Sequence, residues 1–99
     1  MIRACLAFRV RPPKLEEALS AVDSLGERMR RARGCAALRL LSDQEDSAAY
    51  ELVSEWMDAE DVEAFFSSED FRIFRGIRFL LSSDPLIVLD HVGARTLHR

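Results

Sequence analysis

The sequence is poor in the residues that build metal sites and covalent crosslinks. Its 99 residues contain two cysteines, Cys5 and Cys35, and two histidines, His91 and His98. No CxxC pair, His-rich tract or HExxH motif occurs, so the sequence does not support a metal site. Two cysteines in a chain without a secretion signal are more often free thiols than a bridge. We therefore expect neither a bound metal nor a disulfide.

Long apolar runs and a strong charge of either sign are also missing. No segment approaches the roughly 20 apolar residues of a membrane span. The first ten residues lack the long apolar core and the cleavage site of a signal peptide. The formal net charge is only −3, which argues against general nucleic-acid binding. We expect one domain, residues 1–99, that is cytoplasmic.

The sequence does contain four strand patterns. Ile2–Arg11 places an apolar side chain at every even position, as a strand with one buried face does. Similar patterns occur at Cys35–Ser42, Ala48–Trp56 and Leu86–Val92. Together they predict one sheet of four strands.

Helical patterns separate these strands. Leu15–Met29 repeats apolar residues at i, i+3, i+4 and i+7, which predicts an amphipathic helix. Asp58 is a predicted N-cap for a short aromatic helix, and Ser67 with Asp70 predicts a second cap. From this second cap the apolar spacing predicts a helix as far as Leu81.

The order of these elements predicts the fold class. It is an α+β fold with the ferredoxin-like split β-α-β-β-α-β order, a four-stranded antiparallel sheet and helices on one face. In this topology the third strand runs between the first and second strands. Cys5 and Cys35 are then about 9–10 Å apart, which is too far for a disulfide.

The sheet face turned away from the helices predicts a partner. By strand parity we expect it to carry a mixture of apolar and charged side chains: Ala7, Leu41, Val53, Leu89, Arg9, Arg39, Glu51 and Glu55. This mixture is too apolar to be fully solvated and too charged for the core of a monomer. A twofold homodimer that packs the two open faces together resolves the conflict.

Several residues occur in a pattern that resembles a known family. They are Tyr50-x-Leu52-x-x-x-Trp56, Asp58, Ser68-x-x-Phe71, Gly34-Cys35 and Pro85. The pattern resembles the antibiotic-biosynthesis-monooxygenase-like family, and the likeness covers about Ile2 to Val92. It implies a dimeric α+β barrel. Some members of this family oxidise aromatic or phenolic polycycles with O2 and no cofactor, others open haem, and many have no assigned activity.

The resemblance implies a pocket between the sheet and the helices, with Trp56 and Phe71 in its wall. The candidate ligand-binding residues are Ser54, Trp56, Phe65, Phe66, Phe71 and Phe74. A tryptophan and a phenylalanine stripe at helical spacing are also what an ordinary core contains. Core packing is therefore the alternative interpretation of each aromatic residue.

Two residues are candidates for catalysis. Histidine titrates near neutral pH and is able to accept a proton, which favours His91 as a base. Arg75 is the candidate charge partner of a phenolate. The structural alternatives are a hydrogen-bonded sheet histidine and a solvated arginine. The resemblance also implies a histidine where Phe65 stands and, in haem-degrading members, an axial histidine where Arg75 stands.

Three functions are compatible with these residues. The first is a cofactor-independent monooxygenase that acts on a small aromatic, phenolic or quinol-like substrate. The second is a dimeric module that binds or senses a small ligand in the same pocket without chemistry. The third is a haem-degrading monooxygenase, which the residues at positions 65 and 75 disfavour.

Overall fold

The computed structural model describes residues 1–91. They form a four-stranded antiparallel sheet in the order β2-β3-β1-β4. The strands are β1 (Ile2–Arg9), β2 (Cys35–Ser42), β3 (Ala49–Trp56) and β4 (Leu86–His91). The helices are α1 (Leu15–Arg30), α2 (Ala59–Phe66) and α3 (Glu69–Arg75). The predicted α+β, ferredoxin-like fold is confirmed.

The alternation of β1 separates the two faces of the sheet. Ala4 and Leu6 are each 1% exposed and belong to the core under the helices. Cys5 and Ala7, which point the other way, stay partly exposed. Because side chains alternate along a strand, β1 gives one face to the core and the other to an open face.

The two cysteines are free, as predicted. Cys5 pairs with Val53 of β3, and Cys35 pairs with Trp56 of the same strand. The third strand therefore lies between them. Burial raises the pKa of both thiols. Each is therefore a weaker nucleophile at neutral pH than the thiol of a fully exposed cysteine.

Two strands are shorter than predicted. β1 ends at Arg9 rather than at Arg11, and β3 begins at Ala49 rather than at Ala48. The pairing continues through one further bond, because the Val10 N–H donates to the Ala48 carbonyl at 2.9 Å. The prediction therefore located both strands and misplaced one end of each by one or two residues.

The last helix is also shorter than predicted. Its N-cap is Ser68 rather than Ser67, and it ends at Arg75 instead of continuing to Leu81. Leu81 has an extended backbone and forms an antiparallel bridge with Val10. A helix through this position is incompatible with that bridge, so tertiary pairing overrides the apolar spacing.

The connection between α1 and β2 passes close to the first turn of α2. Gly34 follows α1 with a φ of 85°, a conformation that glycine adopts without steric cost. A Cβ at this position would collide with the Asp61 carboxylate in the first turn of α2. Asp58 stands at the predicted N-cap of α2, but its side chain makes no capping hydrogen bond.

Register corrects one prediction about the open face. Leu89 pairs with Ala4 and therefore lies on the helix-facing side, because residues paired across strands share a face. The other predicted residues do lie on the open face: Ala7, Leu41, Val53, Arg9, Arg39, Glu51 and Glu55. Val92, the predicted end of β4, is outside the described residues.

Candidate functional site

A continuous row of aromatic rings crosses the helix-facing side of the sheet. Neighbouring ring centroids are 5.6 Å apart for Trp56–Phe65, 6.4 Å for Phe65–Phe71, 5.7 Å for Phe71–Phe74, 6.4 Å for Phe74–Phe8 and 5.7 Å for Phe8–Tyr50. Phe66 joins the row 4.8 Å from Phe71. These separations are in the range of favourable aromatic pairs. The row has Trp56 at one end and Tyr50 at the other.

Trp56 is held by hydrogen bonds as well as by packing. The indole is 0% exposed, and a buried indole N–H needs an acceptor. It donates to the Ser54 hydroxyl oxygen at 2.8 Å, and that hydroxyl donates to the Ala4 carbonyl at 3.4 Å. Ser54 therefore orients the indole, and its hydroxyl is already engaged within the protein.

The indole does not line an accessible cavity in the single chain. Five surface cavities among residues 1–91 are lined by other residues and not by Trp56. Phe65 and Phe66 cover it at centroid distances of 5.6 and 6.4 Å. In this form Trp56 contributes to the core, which matches the structural alternative.

The register brings His91 to the same end of the sheet as Trp56. Ile2 pairs with Trp56 on one side and with His91 on the other. All three side chains face the helices, and two strand spacings separate the outer pair by about 9–10 Å. The backbone N–H of His91 donates to the Asp90 carboxylate at 2.9 Å, and the residue is exposed.

The helices leave part of β4 uncovered. Ile87 is half-buried and packs against the core. Leu89 is 55% exposed although it shares the face of Ala4. We name Ile87, Leu89 and His91 the β4 ledge. It is an apolar strip on the helix-facing side with one titratable group at its end.

Arg75 lies at the opposite end of the sheet from His91. Its guanidinium stands 5.8 Å from the centroid of the Phe71 ring, and it lines a cavity with Asp84 and Pro85. His91 is six residues beyond Pro85, or about 20 Å along an extended chain. The structure therefore does not bring the two candidate catalytic residues together.

Sequence reasoning missed the ledge and one cluster of charge. The ledge was not predicted because β4 is apolar at both odd and even positions. Its sequence therefore does not indicate which of the two sets of side chains faces the helices. Arg11 and Arg78 line a cavity with Arg75, although they are far apart in the sequence. The bridge between Val10 and Leu81 brings these segments together, and no sequence signal indicated it.

Residues 1–91 contain no group of three or more His, Cys, Asp or Glu side chains placed to hold a metal ion. Within the same residues, no helix combines the length and apolar character needed to cross a membrane.

The comparison with known protein families gives a match over most of the chain. The family model described as antibiotic biosynthesis monooxygenase matches residues 1–76. A search of curated proteins found no match.

Solved structures share the fold at low sequence identity. A structure named antibiotic biosynthesis monooxygenase has a TM-score of 0.83 and 22% identity over 93% of this chain and 98% of that chain. A conserved protein from Methanosarcina mazei Go1 has a TM-score of 0.84 and 21% identity over 91% and 90%. A protein from Pseudomonas aeruginosa has a TM-score of 0.81 and 20% identity over 94% of each chain. At these identities the likeness establishes the fold alone.

Proposed function

The chain belongs to the antibiotic biosynthesis monooxygenase family, and from that premise we propose that it is a cofactor-independent monooxygenase. Its substrate is a small aromatic molecule of the phenol or quinol class. The substrate binds on the helix-facing side of the sheet, over the β4 ledge. Membership of this family by itself indicates a monooxygenase-like or small-molecule-binding fold.

One observation supports this site more than any other. His91 lies on the face of the sheet that carries the aromatic rings. It pairs with Ile2, which on its other side pairs with Trp56. The apolar side chain next to it on that face, Leu89, is more than half exposed. An apolar surface with a convergent polar group is the usual composition of a small-molecule site.

The proposed chemistry requires a substrate anion that itself reduces O2. His91 takes a proton from an activated phenol hydroxyl or ring CH2 group. The anion passes one electron to O2, and the resulting carbon radical and superoxide combine to a peroxide anion. This anion takes back the proton held by His91 and becomes a hydroperoxide. Loss of water then leaves a carbonyl, so that a CH2 group and O2 become C=O and H2O. The protein supplies position and a base.

The other candidate residues have supporting roles in this proposal. Trp56, Phe65, Phe66, Phe71 and Phe74 belong to the aromatic core on the same side of the sheet, and Ile87 of the ledge packs against that core. Ser54 holds the indole in place through its hydrogen bond. Arg75 is left out of the chemistry, because it lies beside the start of β4 while His91 lies at its end.

We also propose that the active form is a homodimer through the open sheet face. The centre of this face is the cross-strand row Arg39–Val53–Cys5–Val88. Val88 is 50% exposed in the single chain. A second copy related by a twofold axis covers the apolar centre and sets arginines against glutamates.

Oxygen uptake with a panel of hydroquinones and anthrones tests the activity. We expect uptake with at least one compound, and a loss of about 10²-fold or more in kcat for His91→Ala, the usual range for a general base. Added imidazole should restore part of the rate in this variant. Uptake that is unchanged in His91→Ala would contradict the assignment of the base.

A binding module without turnover is the second candidate. It is favoured by the surroundings of His91, whose ring has no hydrogen-bond partner among the described residues. A base usually has a group that orients it. Tight binding of an aromatic compound without oxygen uptake from any of the panel would select this function.

We do not propose haem degradation. The resemblance implies histidines at the positions of Phe65 and Arg75, and this chain has neither. Mixing the protein with haem and recording the Soret band tests this directly. A large shift that survives His91→Ala would reopen the question.

A further inference from the structure

Three arginine side chains from three segments line one surface cavity of about 700 Å³. Arg11 follows β1, Arg75 ends α3, and Arg78 lies in the 3-10 turn after α3. An adjoining cavity of about 550 Å³ is also lined by Arg75 and Arg78. The two cavities therefore meet at these two side chains.

Contacts with the protein hold each guanidinium at the cavity. Arg11 Nε donates to the Leu81 carbonyl at 3.0 Å. Arg75 lies over the Phe71 ring, a favourable cation–π arrangement. Arg78 forms an ion pair with Asp84 at 3.0 Å. Fixing the side chains in this way lowers the ordering cost of binding a ligand.

The charges around the cavity are not balanced. Asp84 is the only acidic residue among the described lining residues, so an excess of two positive charges remains. Among residues 1–91, no carboxylate lies at ion-pair distance from Arg11 or Arg75. This local excess opposes the net charge of −3 of the whole chain.

We propose that this cluster of Arg11, Arg75 and Arg78 binds the oxyanion group of a small molecule, a phosphate or a carboxylate. Guanidinium groups offer paired N–H donors that match both groups. Arg11 uses only Nε in its contact with the chain, which leaves its terminal nitrogens for a ligand. Ser82 and Ser83 also line the cavity.

One further side chain indicates an organic ligand rather than a free ion. Phe79 lines the same cavity and is 63% exposed. An exposed ring beside arginines offers a flat apolar surface to the rest of an anionic molecule. The cluster is remote from His91, so it is a second site and does not depend on the proposed oxygenase chemistry.

Isothermal titration with inorganic phosphate and with benzoate, at constant ionic strength, tests the proposal. We expect saturable binding of at least one of them to the full chain. Tighter binding of phosphate would identify a phosphorylated ligand, and tighter binding of benzoate an aromatic carboxylate. The double variant Arg11→Gln/Arg75→Gln should weaken binding by about tenfold or more, since charge-assisted hydrogen bonds are lost.

Two further variants separate a site from general charge attraction. Arg72→Gln and Arg75→Gln each remove one positive charge from α3, but Arg72 lines neither cavity. Arg75→Gln should weaken binding, and Arg72→Gln should leave it unchanged. Asp84→Asn removes the competing carboxylate and should tighten binding. No saturable binding, or equal weakening by Arg72→Gln and Arg75→Gln in variants with unchanged circular dichroism, would overturn the proposal.

Discussion

The two faces of the sheet come from the same strands and differ in how far one chain completes them. On the helix-facing side, Ala4 and Leu6 are covered almost entirely by the chain's own helices. On the open side, Val88 and Leu86 remain exposed on a face that also carries charged residues such as Arg39. Apolar area left in water on a sheet face indicates a surface that another molecule covers.

In β4 the chain leaves both faces incompletely covered, as two adjacent residues show. Val88 faces the open side and is 50% exposed, whereas Leu89 faces the helices and is 55% exposed. Their exposures are similar, but we assign them different partners. Val88 belongs to the proposed dimer interface and Leu89 to the proposed ligand site. Variants at this pair therefore separate assembly from ligand binding.

The largest effect on stability is expected at Trp56, which is buried in the core on the helix-facing side. Trp56→Ala should lower the free energy of unfolding by about 3–5 kcal/mol, because it leaves a cavity in a packed cluster. Val88→Ala should cost much less in a dilute sample, since Val88 is not buried within one chain. Urea unfolding of both variants checks the contrast, and equal losses would contradict it.

The second prediction concerns assembly. Val88→Glu should raise the dissociation constant of the dimer by about 100-fold or more, because an unpaired charge is then buried in an apolar interface. Leu89→Glu should leave the dimer intact and weaken binding of an aromatic ligand instead. Analytical ultracentrifugation across a range of concentrations measures both variants, and a dimer weakened only by Leu89→Glu would reverse our assignment of the faces.

The third prediction tests how the indole is held. Ser54→Ala removes the acceptor of the Trp56 N–H and should cost about 1–3 kcal/mol, the usual penalty for an unsatisfied buried group. Trp56 is the only tryptophan, so its fluorescence reports the change without interference. Ser20→Ala, on the exposed side of α1, is the control. An emission spectrum and stability unchanged in Ser54→Ala would show that the hydrogen bond has no such role.

The smallest effect is expected in thiol chemistry. Burial, reinforced at Cys5 by the Glu51 carboxylate, raises the pKa of both thiols. The thiolate is the reactive form, so alkylation should be slow at neutral pH and accelerate as the pH rises. Cys5 lies on the open face and Cys35 does not. Raising the protein concentration should therefore slow alkylation of Cys5 a few-fold and leave Cys35 unaffected.

Periodicity predicted the elements and their order because each strand and helix buries one face. It did not predict how segments distant in the sequence meet. Leu81 matched the helical spacing, yet it leaves the helix to pair with Val10. Leu89 was assigned to the wrong face, because β4 is apolar at nearly every position and parity alone is ambiguous there.

The candidate site was predicted less completely than the fold. The aromatic residues do form one cluster, but only register shows that His91 stands in the row of Trp56 and that Arg75 does not. Ser54 was considered a ligand contact, and its hydroxyl is instead engaged by the indole N–H. Such contacts depend on three-dimensional placement, which composition and spacing do not contain.

The mass of the protein in solution tests the assignment of the two faces most directly. Sedimentation equilibrium at micromolar concentration should give twice the chain mass of 11.3 kDa, because the open face then lies against a second copy. A mass of one chain throughout the concentration range would contradict the account, since it would leave Val88 and its apolar neighbours in water.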